Sequence, residues 1–134
     1  MKVILTLLVF LAFTTPVSAQ VTDDIRKAAE SGDPKAQYEM GRQLERAKSP
    51  AAEIVDWYTK SAEQGHMPAQ EVLGMMYSKG MYVSRDFVTA YKWSYLAAGQ
   101  NGPLGPALLE ALKEVMTSEQ IEAGKKMAQD WQKK

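Results

Sequence analysis

The sequence predicts an all-α fold, an α-solenoid of antiparallel helix hairpins ended by a C-terminal capping helix pair, and three observations predict it. The chain repeats itself at a spacing of 33 to 36 residues, apolar residues recur at helical spacing inside each repeat, and no stretch alternates as a strand does. A repeat of that length is a supersecondary unit that cannot bury its apolar face alone, so neighbouring units stack.

The register of the repeat shows where it bends. Gly32, Ala36, Gly41 and Leu44 recur as Gly65, Ala69, Gly74 and Tyr77 at a spacing of 33, and Gln37 is matched by Gln70. Trp57, Ser61, Ala62 and Gln64 recur as Trp93, Ala97, Ala98 and Gln100 at a spacing of 36. The second unit therefore carries three extra residues in its internal turn, a change that a helix hairpin absorbs. The expected organisation is a cleaved signal peptide at 1–19 and one helical-repeat domain at 20–134. That domain divides into a half unit at 23–32, unit one at 33–65, unit two at 66–102 and a C-terminal cap at 103–134.

The first segment is set apart by its own pattern. Met1 and Lys2 give a short positive start, Val3 to Phe13 is apolar apart from Thr6, and Pro16 precedes Val17, Ser18 and Ala19. Such a run is too short to span a bilayer, which takes about 20 residues, and it fits a secretory signal cut after Ala19. No cysteine follows it to carry a lipid anchor. Its removal takes one lysine and no acid, leaving 15 basic against 16 acidic residues. The expectation is a periplasmic or secreted protein with no stable membrane anchor after cleavage.

Each later half-unit reads as a helix. Asp33 before Pro34 is a start signal, and Ser49 before Pro50 is read as another. Ile54, Trp57, Tyr58, Ser61 and Ala62 fall on one face, and Gly65 stops that helix. Ala69, Leu73, Met76 and Tyr77 mark the next helix, with Met75 and Met76 expected on opposite sides. Phe87, Ala90, Tyr91, Ala97 and Ala98 mark the one after it. Gly41 and Gly74 sit inside helical patterns, where each costs roughly 1 kcal/mol relative to alanine. They predict close approach of the partner helix at Ala62 in one unit and at Ala90 and Ala98 in the other. Trp57 and Trp93 are expected to fill the space beside them. After the breaker-rich stretch from Gly99 to Pro106, Leu108, Leu109, Leu112, Val115 and Met116 make one apolar face. Thr117 with Gln120 forms a capping box before a stripe of Ile121, Gly124, Ala128 and Trp131.

Composition removes most catalytic chemistry. The 134 residues are 46% apolar, enough for one domain with a core, and 16 basic residues balance 16 acidic ones. That balance gives no field for a nucleic-acid backbone, so no nucleic-acid partner is expected. Zero cysteines and one histidine exclude disulfides, thiolate nucleophiles and multi-histidine metal sites. His66 reads as a turn residue, and Glu39, Glu45, Glu53, Glu71 and Asp86 read as solvated helix faces rather than an acid/base pair. The methionines read as gap-fillers. No catalytic residue, cofactor or metal is expected.

At these residues the sequence resembles the Sel-one-like repeat family, a relative of the tetratricopeptide repeat. Ala69, Leu73, Gly74, Tyr77, Gly80, Val83, Asp86, Ala90, Trp93, Ala97 and Ala98 match its pattern, with Tyr82 and Thr89 departing from it. The resemblance spans residues 23–102 and implies a stack of helix hairpins that exposes the first helix of each unit along a concave surface. By that analogy Tyr38, Arg42, Glu45, Glu71, Met75 and Ser78 are the candidate partner-binding residues, and the partner is another protein. Two units, a half unit and a cap make a short array, so self-association or a docked partner is expected to complete it. The alternative is a cell-envelope enzyme or small-ligand binder. Some cysteine-rich proteins with this type of repeat are linked to β-lactam binding or hydrolysis, and their paired cysteines are missing here.

Overall fold

The computed structural model describes residues 17–134, with side chains from residue 23 onward. The expected signal peptide lies largely outside the described residues. Seven helices and no strand are found among the described residues: α1 (Val17–Glu30), α2 (Pro34–Arg46), α3 (Ala51–Glu63), α4 (Met67–Lys79), α5 (Phe87–Gly99), α6 (Gly105–Lys113) and α7 (Ser118–Gln132). Each helix from α1 to α5 packs on the next in chain order, which is the hairpin stack that the repeat predicts.

Local chemistry starts most of these helices. The Asp33 carboxylate accepts from Ala36 N at 2.8 Å ahead of Pro34, and Asp86 caps α5 by accepting from Thr89 N at 3.1 Å. The capping box of Thr117 and Gln120 closes in both directions at α7. Ser49 does not cap α3. Pro50 itself occupies the cap position, in an extended conformation and without a side-chain hydrogen bond, as the fixed proline φ allows.

In units one and two the core follows the predicted stripes with one displacement. Ile54, Tyr58 and Ala62 of α3, Ala69, Leu73 and Met76 of α4, and Trp93 and Leu96 of α5 form one buried cluster with Ala128 of α7. Trp57 is not in it. Tyr58, one residue on, is buried and takes the place expected of Trp57, while Trp57 lies half-exposed with the Lys60 ammonium 4.4 Å above its ring. The glycines confirm close approach but change its partners. A Cβ on Gly41 would stand 2.9 Å from the Tyr58 ring, and one on Gly74 would stand 2.6 Å from Ser94 Oγ and 3.2 Å from Leu108. The nearest atoms belong to Tyr58 at Gly41 and to Ser94 and Leu108 at Gly74.

Glutamine amides, buried at Gln37 and Gln70 and exposed at Gln64 and Gln100, tie the units together in a repeating pattern. Gln37 donates to the Ala29 carbonyl at 3.2 Å, while Gln64 donates to the Gly32 carbonyl at 2.8 Å and to Gln37 Oε1 at 2.7 Å. One unit later, Gln70 donates to Ala62 O at 3.3 Å, and Gln100 donates to Gly65 O at 3.0 Å and to Gln70 Oε1 at 2.8 Å. No buried side-chain polar atom lacks a partner among the described residues, as a specified interior requires.

The C-terminal pair closes the stack differently from a further hairpin. Helices α6 and α7 each pack on α5 rather than chiefly on one another. Leu112 and Met116 are buried with Ala90 and Tyr91, and a Cβ on Gly124 would stand 2.9 Å from Tyr91. Val115, expected on this face, is 59% exposed. At the far end of α7, the Trp131 indole donates to Glu63 Oε2 at 2.6 Å and meets the Trp93 ring edge-on at 6.3 Å. The Lys92 ammonium lies 3.6 Å from the other Glu63 oxygen and 3.9 Å over Trp93. Burial lowers the pKa of Lys92, and Glu63 opposes that shift.

Candidate functional site

Of the six predicted binding residues, Glu45 and Met75 border one cavity, Tyr38 and Arg42 lie further back along α2 outside its lining, and Glu71 and Ser78 engage other groups. On α2, Tyr38, Arg42 and Glu45 follow one another at helical spacing and are half-buried. Arg42 donates to Glu39 Oε1 at 3.0 Å, and its guanidinium lies 5.9 Å from the centre of the Tyr38 ring. The Tyr38 ring also meets Tyr58 at 5.7 Å and His66 at 5.3 Å. Burial lowers the His66 pKa first of all, Asp33 and Glu39 raise it, and Lys35 lowers it.

Glu45 stands over the edge of the core. Its Oε2 accepts from the Tyr58 hydroxyl at 2.5 Å. Burial, and then the Glu45 carboxylate itself, raise the Tyr58 pKa far above the ordinary phenol range, so the phenol stays neutral and donates. Across from Glu45, Met75 lines a cavity of about 180 Å³ together with Val72, Met76, Lys79 and Met81. Met76, 2% exposed in the core, and Met75, half-buried nearer the surface, both border this space.

Glu71 is not on this face. It is 7% exposed, and its Oε1 accepts from Leu104 N at 2.7 Å and Gly105 N at 3.3 Å, so it fastens the start of α6 to α4. Its helical position is compatible with the groove, but the C-terminal link folds over it, and that link has no counterpart in the repeat. Ser78 donates to the Met75 carbonyl on its own helix at 3.0 Å and does not line the cavity. The wall residues that sequence reasoning missed are Val72, Met76, Lys79 and Met81. Lys79 was readable in principle, four residues beyond Met75 on the same helix face. Met81 was not, because it belongs to the turn with three extra residues.

The described residues hold no group of three or more His, Asp or Glu side chains placed to bind a metal ion, and no helix among them is long and apolar enough to cross a membrane. The site offers an apolar cavity and a half-buried polar face.

The Sel1 repeat family matches residues 55–66 and 68–102, which take in most of α3, nearly all of α4, and α5. Two solved structures match most of the chain. One is a protective antigen present in uropathogenic Escherichia coli strains that displays an SLR fold; it superposes with a TM-score of 0.77 at 28% identity over 85% of this chain. This chain is a Sel1-like repeat protein. A Sel1 repeat protein from Oxalobacter formigenes aligns with a TM-score of 0.63 at 25% identity, covering 84% of this chain and 99% of that one. An uncharacterized protein of Neisseria meningitidis serogroup B is 35% identical over 85 residues, 63% of this chain. The chain spans 17% of the length of the Neisseria protein and 25% of the E. coli chain. Sel1 repeat proteins generally mediate protein–protein interaction, and the family is typically non-catalytic. Within the Sel1 match lie the α4 wall of the cavity and Met81, whereas Tyr38, Arg42 and Glu45 come from α2, ahead of it.

Proposed function

We propose that this chain is an exported, non-catalytic interaction module that holds a segment of another protein along the side formed by α2 and α4. The observation that carries the reading is an apolar cavity walled by Glu45 of α2 and Met75 of α4, with Arg42 and Tyr38 about one and two turns back along α2 from Glu45. Aromatic, methionine and arginine side chains are the types enriched in the cores of protein interfaces. Export to the periplasm or beyond is supported by the charged start, apolar run and small-residue cut at residues 1–19. The description of the E. coli relative as a protective antigen fits a protein that antibodies can reach.

The test is capture of a partner from the cell envelope by crosslinking. Arg42→Glu combined with Met75→Lys is expected to abolish capture while leaving the circular dichroism unchanged, and unchanged capture by the double variant would refute the reading. Fractionation with mass analysis of the amino terminus is expected to find the protein outside the cytoplasm, beginning at Gln20.

A further inference from the structure

The cavity beside Glu45 specifies what this face accepts, an inference that rests on reading the face as a partner-binding surface. Its volume of about 180 Å³ compares with the roughly 150 Å³ of an apolar cavity that takes one benzene ring. The space therefore suits a single ring and not two. Three of its six wall residues are Met75, Met76 and Met81, whose flexible thioethers adjust to a guest and make favourable contacts with an aromatic ring edge. Met81 is 44% exposed, so the cavity opens to solvent past the turn.

The remaining rim carries both signs of charge. Glu45 has Oε2 engaged by Tyr58 and forms no ion pair among the described residues; neither does Lys79. The neighbouring charges on this face, Glu39 and Arg42, close on each other. A partner thus meets an apolar hole with an unpaired carboxylate and an unpaired ammonium at its edge.

We propose that the cavity is an anchor site for one phenylalanine side chain of a partner polypeptide whose flanking residues set a basic group toward Glu45 and an acidic group toward Lys79. Transfer of the ring from water accounts for most of the affinity, a factor of about ten to a hundred. The exposed rim pairs each add only a few-fold, and they decide which way the segment lies.

The probe is a blocked nine-residue peptide of glycine and serine with Lys-Phe-Glu at its centre, added to the full protein carrying ¹³C-methyl methionine. The methyl signals of Met75, Met76 and Met81 are expected to shift, while that of Met127 on α7 stays in place. Phenylalanine replaced by serine is expected to weaken binding about tenfold or more, and Glu-Phe-Glu by about threefold. Lys79→Glu, a change on an exposed side chain, is expected to turn the preference toward Lys-Phe-Lys. Still methionine signals at millimolar peptide, shifts confined to Met127, or equal binding of the serine peptide would each overturn the assignment. Crosslinks from an envelope partner to Tyr38 or Arg42 would then show that the partner-binding reading survives without this anchor; their absence as well would remove both.

Discussion

Replacing Gly41 with alanine sets two effects of opposite sign against each other. In an open helix the change stabilises by about 1 kcal/mol, because glycine loses more backbone freedom on folding than alanine does. At Gly41 the new Cβ lands 2.9 Å from Cδ1, Cε1 and Cζ of Tyr58, about half an ångström or more inside the optimal separation of carbon atoms. Tyr58 has nowhere to swing, since it is 1% exposed and its hydroxyl is held by Glu45. Overpacking of this kind costs about 1–3 kcal/mol. The net is a loss of about 1 kcal/mol, or a Tm lowered by about 4 °C in a domain of this size. Gly99 supplies the control: a Cβ there meets nothing within 4 Å, so Gly99→Ala is expected to raise the Tm, by up to about 4 °C. Thermal and urea unfolding followed by circular dichroism measure both. If Gly41→Ala proves as stabilising as Gly99→Ala, the seat of Tyr58 on Gly41 does not lock α2 onto α3.

Three further outcomes follow from the same contacts. Trp93→Ala is expected to cost about 3–5 kcal/mol, because the indole is 3% exposed in the core, whereas Trp57→Ala is expected to cost under about 1 kcal/mol; equal urea midpoints would contradict the placement of the two rings. Glu71→Ala removes the acceptor of Leu104 N and Gly105 N and is expected to cost about 1.5–3 kcal/mol. Amide exchange should quicken first in α6, and Glu71→Gln should restore part of the loss; uniform exchange would argue against this role. His66 has its pKa lowered, chiefly by burial, so the unfolded chain takes the proton more readily. Its contribution is then full above the unfolded histidine value near 6.5 and is lost as pH falls through it. Thermal melts between about pH 7.5 and 5.5 should flatten in His66→Asn, and an unchanged slope would discount it.

The fold was legible in the sequence because the repeat states it twice. Gly41 and Gly74, or Gln37 and Gln70, mean little singly, but equal spacing makes each pair a structural position. Tyr58 and Trp57 show the limit of that reading. Adjacent aromatic residues on a helix lie about 100° apart, both fall within a broad apolar stripe, and only the space above Gly41 decides between them. The site was half legible for a related reason. Glu45 and Met75, the two expected residues that line the cavity, follow from the helix faces of the repeat. The fate of Glu71 depends on the link before α6, and Met81 on an enlarged turn, and neither recurs in the other unit to be compared.

The glutamine pattern has a bearing on how such a chain could change in length. Gln64 finds at Gly32 and Gln37 the same acceptors that Gln100 finds at Gly65 and Gln70. These two joints thus present an equivalent socket and an equivalent plug. A duplicated segment spliced in at a joint would arrive with its own connectors already matched to both neighbours. Extension by whole segments at these joints keeps each of these glutamine amides paired.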